Sequence, residues 1–281
     1  YMSIEDIILQ NDNRGVSQLR KHLPENFCME TAQKLLNNGP KVIIGTGFYI
    51  YSLDAPETDG PVGVAFLAKA LQTLGFDISI VSDKYGCFLF EELFDGHQII
   101  NFPITGKEES DIFATQVIVD RKPDTLISVE RCGLTEDGTF LNMRGVDVGE
   151  YTARLDSLYE YGNTNNIYTI GVGDGGNEIG MGKLAREVAG YEKLPDKPCI
   201  TPTDDLIIAS VSNWGCYGLI YALAKITNKD LLPTEEENSN LIIRMVDQGA
   251  VDGLIPKKQY SVDGFSIEEN NKILSELRNL S

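Results

Sequence analysis

Residues 41–83 read KVIIGTGFYIYSLDAPETDGPVGVAFLAKALQTLGFDISIVSD, and this stretch decides the fold. KVIIGTG is a short apolar run that ends in glycine. PVGVAFLAKALQTLG carries Pro61 in its first turn and Gly75 past its last, the asymmetry expected of a helix. DISIVSD reads as a second strand. A strand, a helix and a strand in succession predict parallel strands covered on two faces.

The rhythm continues downstream. QIINF, DTLISVE, IYTIGVG and DLIIASVSN read as strands. CFLFEELFDG, SDIFATQVIVDRK, GEYTARLDSLYEYG, KLAREVAGY and WGCYGLIYALAKI read as helices, with two more around 236–248 and 267–280. DGTFLNMRGVD interrupts the pattern as a turn with a strand or hairpin insertion. Right-handed crossovers then give a doubly wound, mostly parallel α/β sheet with helices on both faces. Residues 1–36 form a helical N-terminal extension. No repeat and no Gly/Ser-rich linker divides the chain, so residues 1–281 are expected to form one α/β domain.

Composition narrows the chemistry. The 42 acidic and 24 basic residues leave a net charge of −18. That surface repels nucleic acid and anionic membranes, so neither is expected as a partner. No apolar segment approaches a membrane span, and the acidic start YMSIEDIILQND lacks a signal-peptide pattern. Five scattered cysteines without a C-x-x-C pair suggest reduced thiols and a cytoplasmic setting. With only His22 and His97 in the chain, a Ser-His-Asp triad or a histidine-rich zinc site is not expected. Carboxylates, amides, arginines or a hard cation must carry any catalysis.

The polar motifs follow the strands. Gly45-Thr46-Gly47, Ser82-Asp83, Glu130-Arg131, Gly173 to Glu178, and Ser212-Asn213 each stand at a carboxyl end, where ligands bind in parallel sheets. Glu57-Thr58-Asp59-Gly60 precedes the first crossover helix. A simple N-cap there needs only Thr58 or Asp59.

TIGVGDGGNEIGMG, residues 169–182, fits the G-x-G-x-x-G template but carries Asp174 inside the loop. Gly180 and Gly182 interrupt the helix that should follow, and no second strand supplies a ribose-binding acid, so no nucleotide cofactor is expected. Asp174, Asn177 and Glu178 are hard oxygen donors suited to Mn²⁺ or Mg²⁺. The local alternative is a tight glycine turn whose acids cap the helix. Ser212 and Asn213 are both good N-caps. Cys132 and Cys216 lie within motifs, and a two-cysteine racemase would need such thiols.

ETDGP (57–61), SVERCG (128–133), EDGTFLNMRGVD (136–147), GVGDGGNEIGMGK (171–183) and SVSNWGCYGL (210–219) together resemble the D-glutamate cyclase-like family, in order from about residue 41 to 225. The resemblance implies dehydration of D-glutamate to 5-oxo-D-proline, with a divalent cation, Mn²⁺ or Mg²⁺, in an acidic pocket. The N-terminal helices and the last fifty residues do not carry it.

Under that reading Glu57, Asp59, Asp174 and Glu178 would hold the metal. Glu130 would act as base, with Asp174 and Glu178 also catalytic. Arg131 and Arg144 would clamp carboxylates, and Thr58, Gly60, Asn177 and Asn213 would contact the small-molecule substrate, D-glutamate or a related acid. A Mn/Mg-dependent phosphatase and a non-enzymatic small-molecule-binding protein are the alternatives. A homo-oligomer is compatible with the sequence.

Overall fold

The computed structural model describes residues 2–255 and 257–280. In chain order the strands are β1 (Lys41–Thr46), β2 (Tyr49–Ile50), β3 (Ala55–Pro56), β4 (Asp77–Ser82), β5 (Ile99–Asn101), β6 (Thr125–Val129), β7 (Tyr168–Gly173), β8 (Asp205–Ile208), β9 (Ser261–Val262) and β10 (Phe265–Ser266). Six of them form one sheet in the order β5-β4-β1-β6-β7-β8, and every pairing is parallel. β2 pairs with β3, and β9 with β10, as short antiparallel ribbons.

The apolar strands are buried along their length because helices cover both faces. On one face lie α1 (Ile4–Ile8), α2 (Phe27–Asn37), α3 (Pro61–Thr73), α7 (Ser212–Thr227), α8 (Glu235–Gln248) and α9 (Ile267–Arg278), around the larger hydrophobic core. On the other lie α4 (Lys107–Arg121) and α5 (Asp156–Thr164), over a smaller one. α3 starts at Pro61 and is followed by Gly75 with φ 90°, as its sequence predicts.

The N-terminal helices are more than an appendage: α1 and α2 both pack on α7. Elsewhere expected helices shorten. Residues 87–98 form 3₁₀ turns at Cys87–Phe90 and Gly96–Gln98. The helix expected from Gly149 begins only at Asp156, because the backbone of Ala153 is pinned from both sides, its N–H to Asp83 and its carbonyl to Arg131. Between β7 and β8 only Ala185–Val188 (α6) is α-helical. The insertion at 136–147 is a set of turns tied by isolated bridges, Leu134 to Phe140 and Leu141 to Asp147. Among the described residues no helix is long and apolar enough to cross a membrane.

The chain leaves β1 toward β4 in one direction and returns to β6 on its other side. Loops from neighbouring strands therefore part at the carboxyl ends of β1 and β6, and open a crevice there.

Candidate active site

Two helix ends hold each other at this crevice. Asp59 Oδ1 accepts from the N–H groups of Gly60 (2.9 Å) and Asn213 (2.8 Å), and Oδ2 accepts from the Ser212 N–H (2.9 Å), so Asp59 caps α7. Asn213 returns the contact. Its Oδ1 accepts from the N–H groups of Gly60 (2.9 Å) and Gly63 (2.7 Å) and so caps α3, while its Nδ2 donates to the Thr58 carbonyl (3.1 Å). Asn213, expected to orient substrate, is spent on this lock.

Glu130 follows β6 with φ 45°, a left-handed conformation that costs a glutamate energy and persists only where its surroundings impose it. The hydroxyl of Ser212 donates to Glu130 Oε2. Gly60, at φ 92°, lets the chain pass: a Cβ there would stand 2.8 Å from Glu130 Cβ and from Thr46 Oγ1. Asp174 follows β7 and is almost fully buried. Carboxylate oxygens of Asp59, Glu130 and Asp174 all lie within 4.8 Å of one another. The cluster joins two of the four expected metal ligands, Asp59 and Asp174, to Glu130, the expected base, and contains neither Glu57 nor Glu178.

Glu178 answers a different need. Its Oε1 accepts from the N–H groups of Asp174 (3.0 Å) and Gly175 (2.6 Å), and its Oε2 from that of Gly176 (2.6 Å). The glycine loop is an anion nest filled by the chain's own carboxylate. Glu178, expected as metal ligand and catalyst, is turned to its own loop and lies outside the Asp59–Glu130–Asp174 cluster.

Two site residues come from the chain ends and were not anticipated. Arg14 Nη1 donates to Asp174 Oδ2 (2.7 Å) and to Asp263 Oδ2 (2.6 Å), with its side chain only 18% exposed. Asp12 shapes the turn that presents it, accepting from the N–H groups of Arg14, Gly15 and Ser17. Asp263 and Gly264, at φ 52° and 80°, are the turn between β9 and β10. Asp-Gly between two short apolar runs is a hairpin signal that the sequence does carry. It marks the turn but not where the turn lands. Asp252 fixes it there by accepting from the Ser261 hydroxyl (2.6 Å) and the Gly264 N–H (2.8 Å).

A cavity of about 150 Å³ opens onto this floor. Arg14, Glu57, Glu130 and Asp174 line its depth, and Asn142, Arg144 and Asn177 its side. Glu57 is packed tightly: a Cβ at Gly253 would stand 2.0 Å from its Oε1. Asn177 Nδ2 donates to the Leu141 carbonyl (3.0 Å). Arg144, expected as a carboxylate clamp, lines the same cavity and is exposed.

Arg131, expected as the second clamp, does not line the cavity. It is buried, and it donates to the Gly47 and Ala153 carbonyls (2.9 and 2.7 Å) and pairs with Asp83 (2.7 Å), stapling three strand-end loops. Thr58 is likewise turned to structure: its hydroxyl donates to the Ser261 carbonyl (2.9 Å) and its N–H to that of Val251 (2.8 Å).

Five acids facing one arginine cannot all ionise in a buried site. Burial pushes Glu57, Glu130 and Asp174 well above the usual carboxylate range, and like charges around Glu57 and Glu130 push the same way. Arg14 opposes the shift at Asp174 without cancelling it. Burial and the neighbouring Asp263 raise Asp59 to about 7. At Asp263 burial is outweighed chiefly by the charge and hydrogen bond of Arg14, which hold it below its ordinary value. Cys132 and Cys216 are buried, and burial raises both thiols well above their ordinary value, the reverse of what a racemase nucleophile needs.

Residues 4–278 match the family described as D-glutamate cyclase-like, C-terminal. The chain belongs to the D-glutamate cyclase-like family. The match takes in both Arg14 and Asp263, outside the span that the sequence motifs mark. Over 230 residues the chain is 30% identical to the human mitochondrial D-glutamate cyclase, an alignment covering 75% of this chain and 36% of that protein. This chain therefore spans about a third of that relative's length.

Among solved structures, the exonuclease RecJ bound to manganese aligns with 91% of this chain and 48% of its own, at 14% identity and a TM-score of 0.44. RecJ in complex with Mn²⁺ from Thermus thermophilus aligns with 81% of this chain and 25% of its own, at 17% identity and a TM-score of 0.40. Membership of the D-glutamate cyclase-like family rests on the sequence matches alone.

Proposed function

We propose that this chain closes D-glutamate into 5-oxo-D-proline with loss of water. The observation that carries the reading is the buried acidic floor of a family member's strand-end cavity, with Arg14 as its internal cation.

The donor set fits a hard divalent cation. Asp59, Glu130 and Asp174 offer three carboxylate oxygens in one buried cluster, and Asp263 Oδ1 is buried with no partner. Asp59 Oδ2 accepts a single N–H and keeps acceptor capacity. When bound, Mn²⁺ or Mg²⁺ supplies Lewis-acid polarisation of a carboxylate oxygen.

The reaction balances internally. The α-nitrogen forms a bond to Cδ, one Cδ–O bond breaks, and the two protons lost by the ammonium leave in the water. A group must take and return those protons. With Asp59, Glu130 and Asp174 assigned to the cation, Glu57 is the carboxyl left on the cavity wall to exchange those protons, and burial with like charges around it favours its protonated form. The acidic floor attracts the ammonium. Arg144 at the mouth pairs with the α-carboxylate and helps fold the substrate toward ring closure.

A phosphatase on the same scaffold is less favoured, because the glycine nest that would cradle phosphate is filled by Glu178. Incubation with D-glutamate, L-glutamate and a generic phosphoester, with and without Mn²⁺, separates these readings. Saturable, D-selective 5-oxoproline formation supports the cyclase. Phosphate release without 5-oxoproline refutes it.

A further inference from the structure

The mouth of the cavity is unlike its floor. Tyr51, Met143, Val146 and Leu254 all line this one cavity, and each is a large apolar side chain with more than a third of its surface exposed. They come from three separate segments. Behind them Tyr49 stacks flat on Tyr151, with ring centroids 4.4 Å apart, and Tyr51 meets Tyr151 edge-on at 5.7 Å, which stiffens that side of the rim. Exposed apolar side chains scattered singly are ordinary, but a ring of them around a polar cavity marks a binding surface.

Free glutamate gives such a rim nothing to bind, since its only apolar atoms are two methylenes flanked by charges. It also brings a second carboxylate to a floor whose own acids already take up the charge of Arg14 and of the cation they would hold. A glutamate whose γ-carbonyl bears an apolar substituent removes both mismatches. Its ammonium still faces the acids, its overall charge is zero, and its substituent reaches the rim.

We propose that the site takes γ-substituted D-glutamyl compounds, amides or esters with an apolar substituent, in preference to D-glutamate. This rests on the cyclase reading and extends its substrate class. The step balances without any co-reactant. The α-nitrogen forms its bond to Cδ and the Cδ–N or Cδ–O bond to the substituent breaks; of the two protons the ammonium loses, one leaves with the released amine or alcohol and the other passes to solvent. An amide or ester is also a better electrophile than a carboxylate.

The test compares the Mn²⁺-supplied protein on D-glutamic acid γ-(4-nitroanilide), D-glutamine and D-glutamate, following 4-nitroaniline and 5-oxoproline. The anilide should exceed D-glutamine in kcat/KM by about tenfold or more, as apolar contacts of this size allow. Leu254→Ser should cut that anilide-to-glutamine ratio by about tenfold and Leu254→Met should preserve it. Turnover of D-glutamate with no preference for the anilide overturns this inference and leaves the cyclase reading standing. Turnover of the anilide but not of D-glutamate supports the inference and removes free D-glutamate as substrate. Turnover of neither overturns both.

Discussion

Arg14 and Asp174 stand 160 residues apart in the chain and meet at 2.7 Å on the floor of the cavity. The same guanidinium nitrogen reaches Asp263, so a loop near the start and a turn near the end close on one acid after β7. An arginine in this place acts as a fixed cation among acids that would otherwise repel.

Removing that cation should be costly. Arg14→Met leaves two buried carboxylates without their partner, and loss of one side of such a pair costs about 3–5 kcal/mol. Chemical denaturation should show a lower midpoint than the parent. Added Mn²⁺ should raise the melting temperature of the variant by more than it raises that of the parent. A variant as stable as the parent without metal would contradict the role given to Arg14.

Two acids on the cavity should fail in different ways. Asp174→Asn removes a cluster oxygen, so turnover should fall at least about 100-fold and stabilisation by Mn²⁺ should shrink. Glu57→Gln should lower kcat by about 10²–10⁴ while stabilisation by Mn²⁺ persists. Both variants should keep the circular dichroism of the parent. Near-normal turnover in Asp174→Asn would remove it from the site.

The raised carboxyls set a pH dependence. A group whose folded pKa lies above its unfolded value binds more protons when folded, so stability falls as pH rises from the unfolded pKa through the folded one. For Asp59 that window runs from 3.8 to about 7, and Glu57, Glu130 and Asp174 shift in the same direction. The metal-free protein should melt at lower temperature at about pH 8 than at about pH 5. Mn²⁺ must displace these protons to bind, so its stabilising effect should be larger at the higher pH. Calorimetry with and without Mn²⁺ at both pH values measures this; equal metal-induced shifts would refute it.

Glu178 is the chain's own ligand for its glycine nest. Glu178→Ala should uncover three N–H groups and destabilise the protein by about 3 kcal/mol. It should also create an anion site, so sulfate or phosphate should raise the melting temperature of the variant and leave the parent nearly unchanged. Thermal shift assays with and without sulfate decide it, and an anion-insensitive variant would refute the nest.

Much of the fold was legible because its signals are local. KVIIGT and DISIVS each carry adjacent apolar residues, Val42-Ile43-Ile44 and Ile80-Val81, so apolar side chains fall on both faces as in a strand covered on two sides, and Pro61 and Gly75 bracket the helix between them. The 3₁₀ turns after β4 escaped this reading, since one short apolar run serves an α-helix and a 3₁₀ turn equally well. At the site, the placing of Asp59, Glu130 and Asp174 beyond strand ends follows from topology, and topology follows from the alternation of elements.

By itself, then, the sequence determined a doubly wound parallel sheet and an acidic site along its carboxyl edge, through periodicity and chain direction. Tertiary structure alone decided which acids face the cavity. Glu178 and Arg131 turn inward because buried N–H and carbonyl groups need partners. Asp59 and Asn213 cross-cap two helices that touch only after folding. Arg14 and Asp263 enter from the two ends of the chain, because packing brings α1 against both α7 and α9. Distances along the chain say nothing of such meetings.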